Sequence, residues 1–319
     1  MNNFQIKLID DVNKDQLYKL WNDEYEFIYP ISKELWNRNI SNLNNNLSFI
    51  ACDDDKIIGF LIGKTWQDEF IIEKYLDSAW ISIMYVIPHY RKCGVGSSLL
   101  TKFEEEVKSM NIKTINLGRD YNNFFPGLPV DLGNFVNWFK EKGFSFPGQT
   151  HDLIRFTKDL DKLPIENQGE YEFRLGTPLD KEAILSFIGR IWPGRWQKEA
   201  IDYFNLGGTG KEYLICLNKN KEICGFVKVC GPQTLTPCIS YSLTWRNRFE
   251  ALGGIGPLGI DPNYRRKHLG YDIVSSAVNV LIDQGAKEII IDWTSLLEFY
   301  RHMGFQVWKS YFYANKLLN

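Results

Sequence analysis

Three cations and a glycine crowd into one short stretch, Tyr264-Arg265-Arg266-Lys267-His268-Leu269-Gly270-Tyr271. An apolar run ending in Leu258-Gly259-Ile260 precedes it, and Pro262 withholds an amide. Ile273, Val274, Ala277, Val278 and Leu281 then recur at helical spacing until Gly285. A cationic loop at a helix start offers unpaired backbone N–H groups and the positive end of the helix dipole to an anion. Phosphate or pyrophosphate is the ligand this chemistry selects. Downstream, Glu288-Ile289-Ile290-Ile291-Asp292-Trp293 reads as a buried strand with a carboxylate at its C-terminal end, followed by Phe299-Tyr300 and Gly304-Phe305.

The same order occurs earlier in the chain. Tyr85-Val86 ends a strand-like run before Tyr90-Arg91-Lys92-Cys93-Gly94-Val95-Gly96, at an offset of 174 residues from position 90 to 264. Leu99, Leu100, Phe103, Val107 and Met110 form the apolar face of the helix that follows. Hairpin-like runs precede each loop, joined by Asp53-Asp54-Asp55-Lys56 and Asn218-Lys219-Asn220-Lys221, with Gly59-Phe60 and Gly225-Phe226 in corresponding places. The Gly-Phe pairs at 143 and 304 stand only 161 apart, so the first copy carries 13 extra residues around Phe124-Phe125-Pro126. The chain is a duplication.

Loop, buried strand, Phe-Tyr pair and Gly-Phe, in that order, resemble the GNAT superfamily of acyl-CoA-dependent N-acetyltransferases. The resemblance covers nearly all of both copies and implies an α+β fold: two tandem domains, each a mostly antiparallel mixed sheet flanked by helices. It implies that Arg265 to Tyr271 and Arg91 to Gly96 bind the acetyl-CoA pyrophosphate, with Leu258-Gly259-Ile260 and Tyr85-Val86 along the pantetheine. His268 stands where the family pattern has a glycine. The first loop keeps that glycine and is expected to bind at least as well.

By the same resemblance, Tyr300 lies beside the CoA sulfur and protonates the departing thiolate, whereas Phe139 in the first copy has no proton to give. Asp292 binds the acceptor ammonium and takes its proton; a strand-end aspartate that merely caps a loop is the alternative. Trp192, Arg195, Trp196 and Asp202 fall where early helices wall the acceptor pocket, or they serve as packing. The expected organisation is residues 1–158 as a CoA-binding or structural domain, 159–170 as a linker, and 171–319 as the catalytic domain. The segment around Asp292 is similar to that of two-domain bacterial amino-sugar N-acetyltransferases, which makes a small-molecule amine such as glucosamine the expected acceptor. A non-catalytic acyl-CoA sensor and a peptide or antibiotic acetyltransferase remain the alternatives.

Composition bounds these readings. The chain has 319 residues, 44% hydrophobic and 15% aromatic, enough for two cored domains. A net charge of −2 lacks the broad basic face that a nucleic-acid or membrane-surface binder needs. Six cysteines show no Cys-x-x-Cys pair and four histidines are scattered, so free thiols and no metal are expected. The N-terminus lacks the pattern of a signal peptide and no apolar run is long enough to span a bilayer, so a cytoplasmic location is expected.

Overall fold

Short apolar runs of strand character and helices with one apolar face alternate twice along the chain, and each set buries its own faces. The computed structural model describes residues 4–157, 162–167, 169–234 and 245–318. In chain order the strands of the first half are β1 (Phe4–Leu8), β2 (Phe49–Asp53), β3 (Lys56–Thr65), β4 (Ser78–Val86), β5 (Thr114–Leu117), β6 (Leu128–Pro129) and β7 (Ser145–Phe156). Those of the second half are β8 (Glu172–Leu175), β9 (Tyr213–Leu217), β10 (Ile223–Cys230), β11 (Leu252–Ile260), β12 (Glu288–Thr294) and β13 (Gln306–Leu317). The helices are α1 (Lys14–Tyr25), α2 (Lys33–Ile40), α3 (Glu73–Leu76), α4 (Val95–Ser109), α5 (Phe135–Glu141), α6 (Lys181–Ile191), α7 (Arg195–Asn205), α8 (Leu269–Asp283) and α9 (Leu297–Arg301).

Two compact units result: Met1–Thr150 with Ser310–Asn319, and His151–Lys309. In the first, β1 to β4 pair antiparallel in sequence order, β4 and β5 run parallel, and β13 pairs antiparallel with β5 and β6. In the second, β8 to β11 pair antiparallel, β11 and β12 run parallel, and residues 151–156 of β7 pair antiparallel with β12. Each unit is therefore a mixed, mostly antiparallel sheet with helices, the fold class the sequence implied. The registers confirm the duplication in detail. Ile81 faces Leu117 as Ile255 faces Ile291, and Gly59 faces Val86 as Gly225 faces Ile260, so the offset of 174 holds across both parallel pairs.

The unit boundaries differ from those expected at 158 and 171. Residues 151–157 belong to the second unit and 310–319 to the first, because the strands that complete the two sheets come from the far part of the chain. Of the expected linker, 159–161 and 168 lie outside the described residues, and the described part is docked on α8. Asp272, wholly buried, accepts the backbone N–H of Glu166 at 2.8 Å, and the Asn279 amide brackets the Leu163 backbone at 2.7 and 2.8 Å. Cys230 is disulfide-bonded, which corrects the expectation of free thiols throughout; chain spacing does not reveal which sulfurs the fold brings together.

Apolar periodicity sets both cores. Leu269, Ile273, Val274, Ala277, Val278 and Leu281 of α8 are buried against the second sheet, as Val95, Leu99, Leu100, Phe103 and Val107 of α4 are against the first. The first unit also buries a charge pair. Lys64 Nζ donates to Asp120 Oδ1 at 2.8 Å and to Asn39 Oδ1 at 2.5 Å, and Ser82 Oγ donates to Asp120 Oδ2 at 2.7 Å. Both charged side chains are nearly inaccessible. Asp120→Ala would leave the Lys64 ammonium buried without its counter-ion, so it should destabilise the first unit by about 3–5 kcal/mol in urea unfolding. A loss below about 1 kcal/mol would mean that Lys64 is neutral in the folded protein.

Candidate active site

The splay between the parallel strands positions the chemistry of the second unit. β11 pairs with β12 only from Leu252 to Ile255, after which Leu258, Gly259 and Ile260 continue along β10 alone. Their other edge has no strand partner among the described residues. At Ile260 the chain turns through Pro262–Tyr264, where buried Asp261 accepts the Asn263 N–H at 2.9 Å, and enters the cationic loop.

The two loops share one backbone path. Arg265 and Arg91 are both extended, Arg266 and Lys92 both have φ of +62°, and His268 (φ +58°) is left-handed like Gly94 (φ +88°). The replacement of glycine by His268 thus changes the residue and keeps the conformation, at a cost of about 1–2 kcal/mol for a left-handed non-glycine residue. Leu269 and Gly270 begin α8 and have no intrahelical acceptor for their N–H groups. A Cβ at Gly270 would meet only the Phe299 ring, at 3.6 Å, so little but Phe299 crowds the helix start. An open helix N-terminus beside Arg265, Arg266 and Lys267 fits a pyrophosphate.

Asp292 stands at this splay, and its charge reaches Tyr300. Asp292 Oδ1 lies 3.3 Å from the point where a Cβ on Gly256 would stand, Gly256 being the first residue of β11 beyond its pairing with β12. The carboxyl is only partly accessible, and burial pushes its pKa well above the ordinary range, with Asp152 and Glu199 adding to the rise and Arg195 opposing it. No side chain among the described residues hydrogen-bonds it. Tyr300, 4% exposed on α9, is likewise raised, by burial first and by the Asp292 charge second. A carboxyl whose protonated form is favoured thus lies within electrostatic reach of a phenol that stays protonated.

The expected acceptor-pocket residues separate into two groups. Trp192 packs on Gly259, where any Cβ would lie 2.5 Å from its Cη2, and meets Trp196 at a tilt and Phe226 edge-to-face, at 5.4 and 5.5 Å between ring centres. Gly259 is therefore required by the indole above it. The Arg195 guanidinium lies 4.4 Å from the centre of the Trp293 ring, and its Nε donates to Glu199 at 2.7 Å. Arg195 and Glu199 lie close enough to Asp292 for their charges to act on it. Asp202 is instead held one helical turn from Lys198 in an ion pair along α7. Sequence reasoning missed Asp152, Glu199 and Trp245, for which no local motif exists.

The first unit has the same backbone and a different interior. By register Gly118 occupies the place of Asp292, and by the sequence offset of 161 Phe139 occupies that of Tyr300. Arg91 is already engaged: it donates to both Glu24 oxygens at 2.7 and 2.8 Å and to the Val86 carbonyl at 2.8 Å. Tyr85 donates to Glu24 at 2.8 Å, and burial pushes the neighbouring Tyr25 phenol up to about 12. Phe124 and Phe125, from the 13-residue insertion, pack on Trp36 and Trp21 at 5.5 and 5.6 Å. Cys93 is exposed on the loop. Among the described residues no group of three or more His, Cys, Asp or Glu side chains is arranged to hold a metal, and no helix is long and apolar enough to cross a membrane.

The acetyltransferase (GNAT) family model matches residues 14–125 and 181–305. No curated protein matches the chain significantly. Among solved structures, a GCN5-related glucosamine N-acetyltransferase region of a fungal multi-domain GH3 β-N-acetylglucosaminidase is similar with a TM-score of 0.85 and 21% identity. The match covers 99% of this chain and 38% of the fungal chain, so this chain spans well under half of that protein. A GCN5-related N-acetyltransferase from Sphaerobacter thermophilus has a TM-score of 0.69 at 15% identity, covering 98% of this chain and 95% of that one. A tandem GNAT protein from the clavulanic acid biosynthesis pathway has 0.66 at 12%, covering 99% and 98%. At these identities the likeness is one of fold.

Proposed function

The chain belongs to the GNAT acetyltransferase family, with two tandem GNAT units, and on that premise we propose an acetyl-CoA-dependent N-acetyltransferase whose chemistry resides in the second unit. The observation that carries the reading is the asymmetry between the splays: Asp292 and Tyr300 in one, Gly118 and Phe139 in the other. Acetyl-CoA supplies the acetyl group as a thioester. Arg265, Arg266, Lys267 and the N–H groups of Leu269 and Gly270 hold its pyrophosphate, and the free edge at Gly259-Ile260 aligns its pantetheine. Asp292 takes a proton from the acceptor ammonium, directly or through water, leaving a neutral amine for direct attack. Tyr300 donates to the sulfur as the C–S bond breaks, and the second proton of the attacking nitrogen returns to the phenolate, directly or through water, as the amide forms. No covalent enzyme intermediate is needed, because positioning the amine beside the thioester supplies most of the rate.

The acceptor is a primary amine of a small molecule, and an amino sugar such as glucosamine is the favoured class. Trp293 follows Asp292 directly in the chain, and an indole beside a carboxylate is a combination suited to a sugar ring that carries an ammonium. The similarity to a region described as a glucosamine N-acetyltransferase supports the same class. Thiol release from acetyl-CoA, measured with glucosamine, aliphatic amines and short peptides, tests the reading. Turnover with peptides and none with amino sugars would overturn the acceptor, and no turnover with any amine would favour an acyl-CoA sensor.

In the first unit Arg91 is committed to Glu24, so acetyl-CoA is assigned to the second. Titration calorimetry should find one acetyl-CoA per chain, abolished by Gly270→Glu, which puts bulk and negative charge at the phosphate cradle. Gly96→Glu should leave that stoichiometry unchanged. Two sites in the unaltered protein, one of them lost in Gly96→Glu, would restore binding to the first loop.

A further inference from the structure

β12 is not regular where it carries Asp292. Its register on β7 sets Ile291 against Leu153 and Thr294 against His151, so Asp292 and Trp293 together oppose one residue, Asp152. That is a β-bulge, a device that re-aims a side chain. Its cost falls on Trp293, whose φ of +49° is one that a bulky residue keeps only when its surroundings hold it. Asp152 and Arg195 are among the residues that hold it. Asp152 Oδ1 accepts the Trp293 backbone N–H at 3.3 Å, and the Arg195 guanidinium covers the indole. Asp152 is itself 2% exposed, and its Oδ2 accepts the Trp245 Nε1–H at 3.2 Å.

We propose that Asp152 is a positioning residue for acetyl transfer: by accepting the Trp293 N–H it holds the bulge that directs Asp292 toward Gly256 and the splayed cleft. The role rests on the assignment of Asp292 as the base. A carboxylate can accept the Trp293 amide and the Trp245 indole N–H at once, one through each oxygen. The negative charge has its own use. The charged and titratable groups around Asp292 are Asp152 on β7, Glu199 and Arg195 on α7, and Tyr300 on α9, and Asp152 is the strongest of the charges that raise Asp292. One residue thus fixes the direction of the base and favours its protonated form, as a site that removes a proton from an ammonium requires.

The test separates the two effects in the full-length protein. Asp152→Asn keeps Oδ1 for the Trp293 amide and removes the charge; combined with Trp245→Phe, it also removes the N–H that the new amide would oppose. In that pair kcat should stay within about threefold of the wild type. The acid limb of its kcat/KM profile should move to lower pH by about 1 unit, because a like charge has left the vicinity of Asp292. Asp152→Ala, which releases the bulge, should lose kcat by about 10²-fold at unchanged KM for acetyl-CoA, as expected for a misplaced base. Should that variant fail to fold, Asp152→Glu, which keeps the charge and displaces the acceptor from the Trp293 amide, takes its place with the same expected loss of kcat. An unmoved limb would overturn the proposal, and so would full kcat in folded Asp152→Ala. Asp292→Asn serves as the control. If it keeps the wild-type limb, the base assignment itself fails; if it loses the limb and turnover while folded Asp152→Ala keeps full kcat, only the positioning role fails.

Discussion

Replacing Tyr300 by phenylalanine is expected to lower kcat by about 10²–10⁴-fold and to leave KM for acetyl-CoA within about twofold. The ring remains, so the packing of Tyr300 with Phe299 and Phe305 survives and only the hydroxyl is lost. The hydroxyl has no hydrogen-bond partner among the described residues, so its removal leaves no buried group stranded. The chemistry of its role is constrained by its environment. Burial and the Asp292 charge raise the phenol, whereas a leaving thiol sits near roughly 8.5, so full proton transfer would run uphill while Asp292 is ionised. Once Asp292 has taken the proton of the incoming ammonium, its charge no longer holds the phenol up, and donation to the sulfur becomes easier. The two proton movements are coupled in that order. Phe139→Tyr should not create a second active cleft, because Gly118 provides no carboxylate there. A Tyr300→Phe enzyme with kcat within about threefold of the wild type would remove the phenol from the chemistry.

What the sequence made legible is what local spacing encodes. The buried face of α8 follows from apolar residues at helical spacing, and the loops follow from cations and glycines that need a particular backbone path. His268 departs from the loop pattern in identity, yet histidine is among the residues that tolerate the left-handed region, so the path survives. Partnerships over long separations were not legible. Asn315 pairs with Asn116, and residues 151–156 complete the second sheet; nothing in either stretch names its neighbour, so the unit boundaries moved. The bulge was hidden for the same reason, since it exists only in the register between β12 and a strand from much earlier in the chain. Trp192 illustrates the limit at the residue scale. Its type suits a ligand-stacking face, but the absence of a side chain at Gly259 shows that the indole is seated against the sheet.

Asp292→Asn is expected to abolish most turnover and, at neutral pH, to make the protein more stable. Both effects come from one raised pKa. The base works only when ionised, so kcat/KM of the wild type should fall as pH drops through the raised value, and that limb should vanish in the variant. For stability the sign is set by the same shift. A carboxyl whose folded pKa exceeds its unfolded value binds its proton more tightly in the folded chain, so its stabilising contribution is complete below the unfolded value, near about 3.9, and is lost as pH rises through the folded one. At pH 8 the folded chain must either hold the charge near Asp152 and Glu199 or take up a proton that the unfolded chain does not bind, and Asp292→Asn removes that burden. The variant's Tm should exceed that of the wild type at pH 8, by about 2–4 °C for each kcal/mol relieved, and the difference should shrink as pH is lowered toward 5. Turnover reduced by about 10²–10⁴-fold in a protein that melts higher would identify Asp292 as a group kept for chemistry at the expense of the fold. A variant that melts lower at pH 8 and loses activity only in proportion would instead make Asp292 a strand-end cap, and the base would have to be sought elsewhere in the cleft.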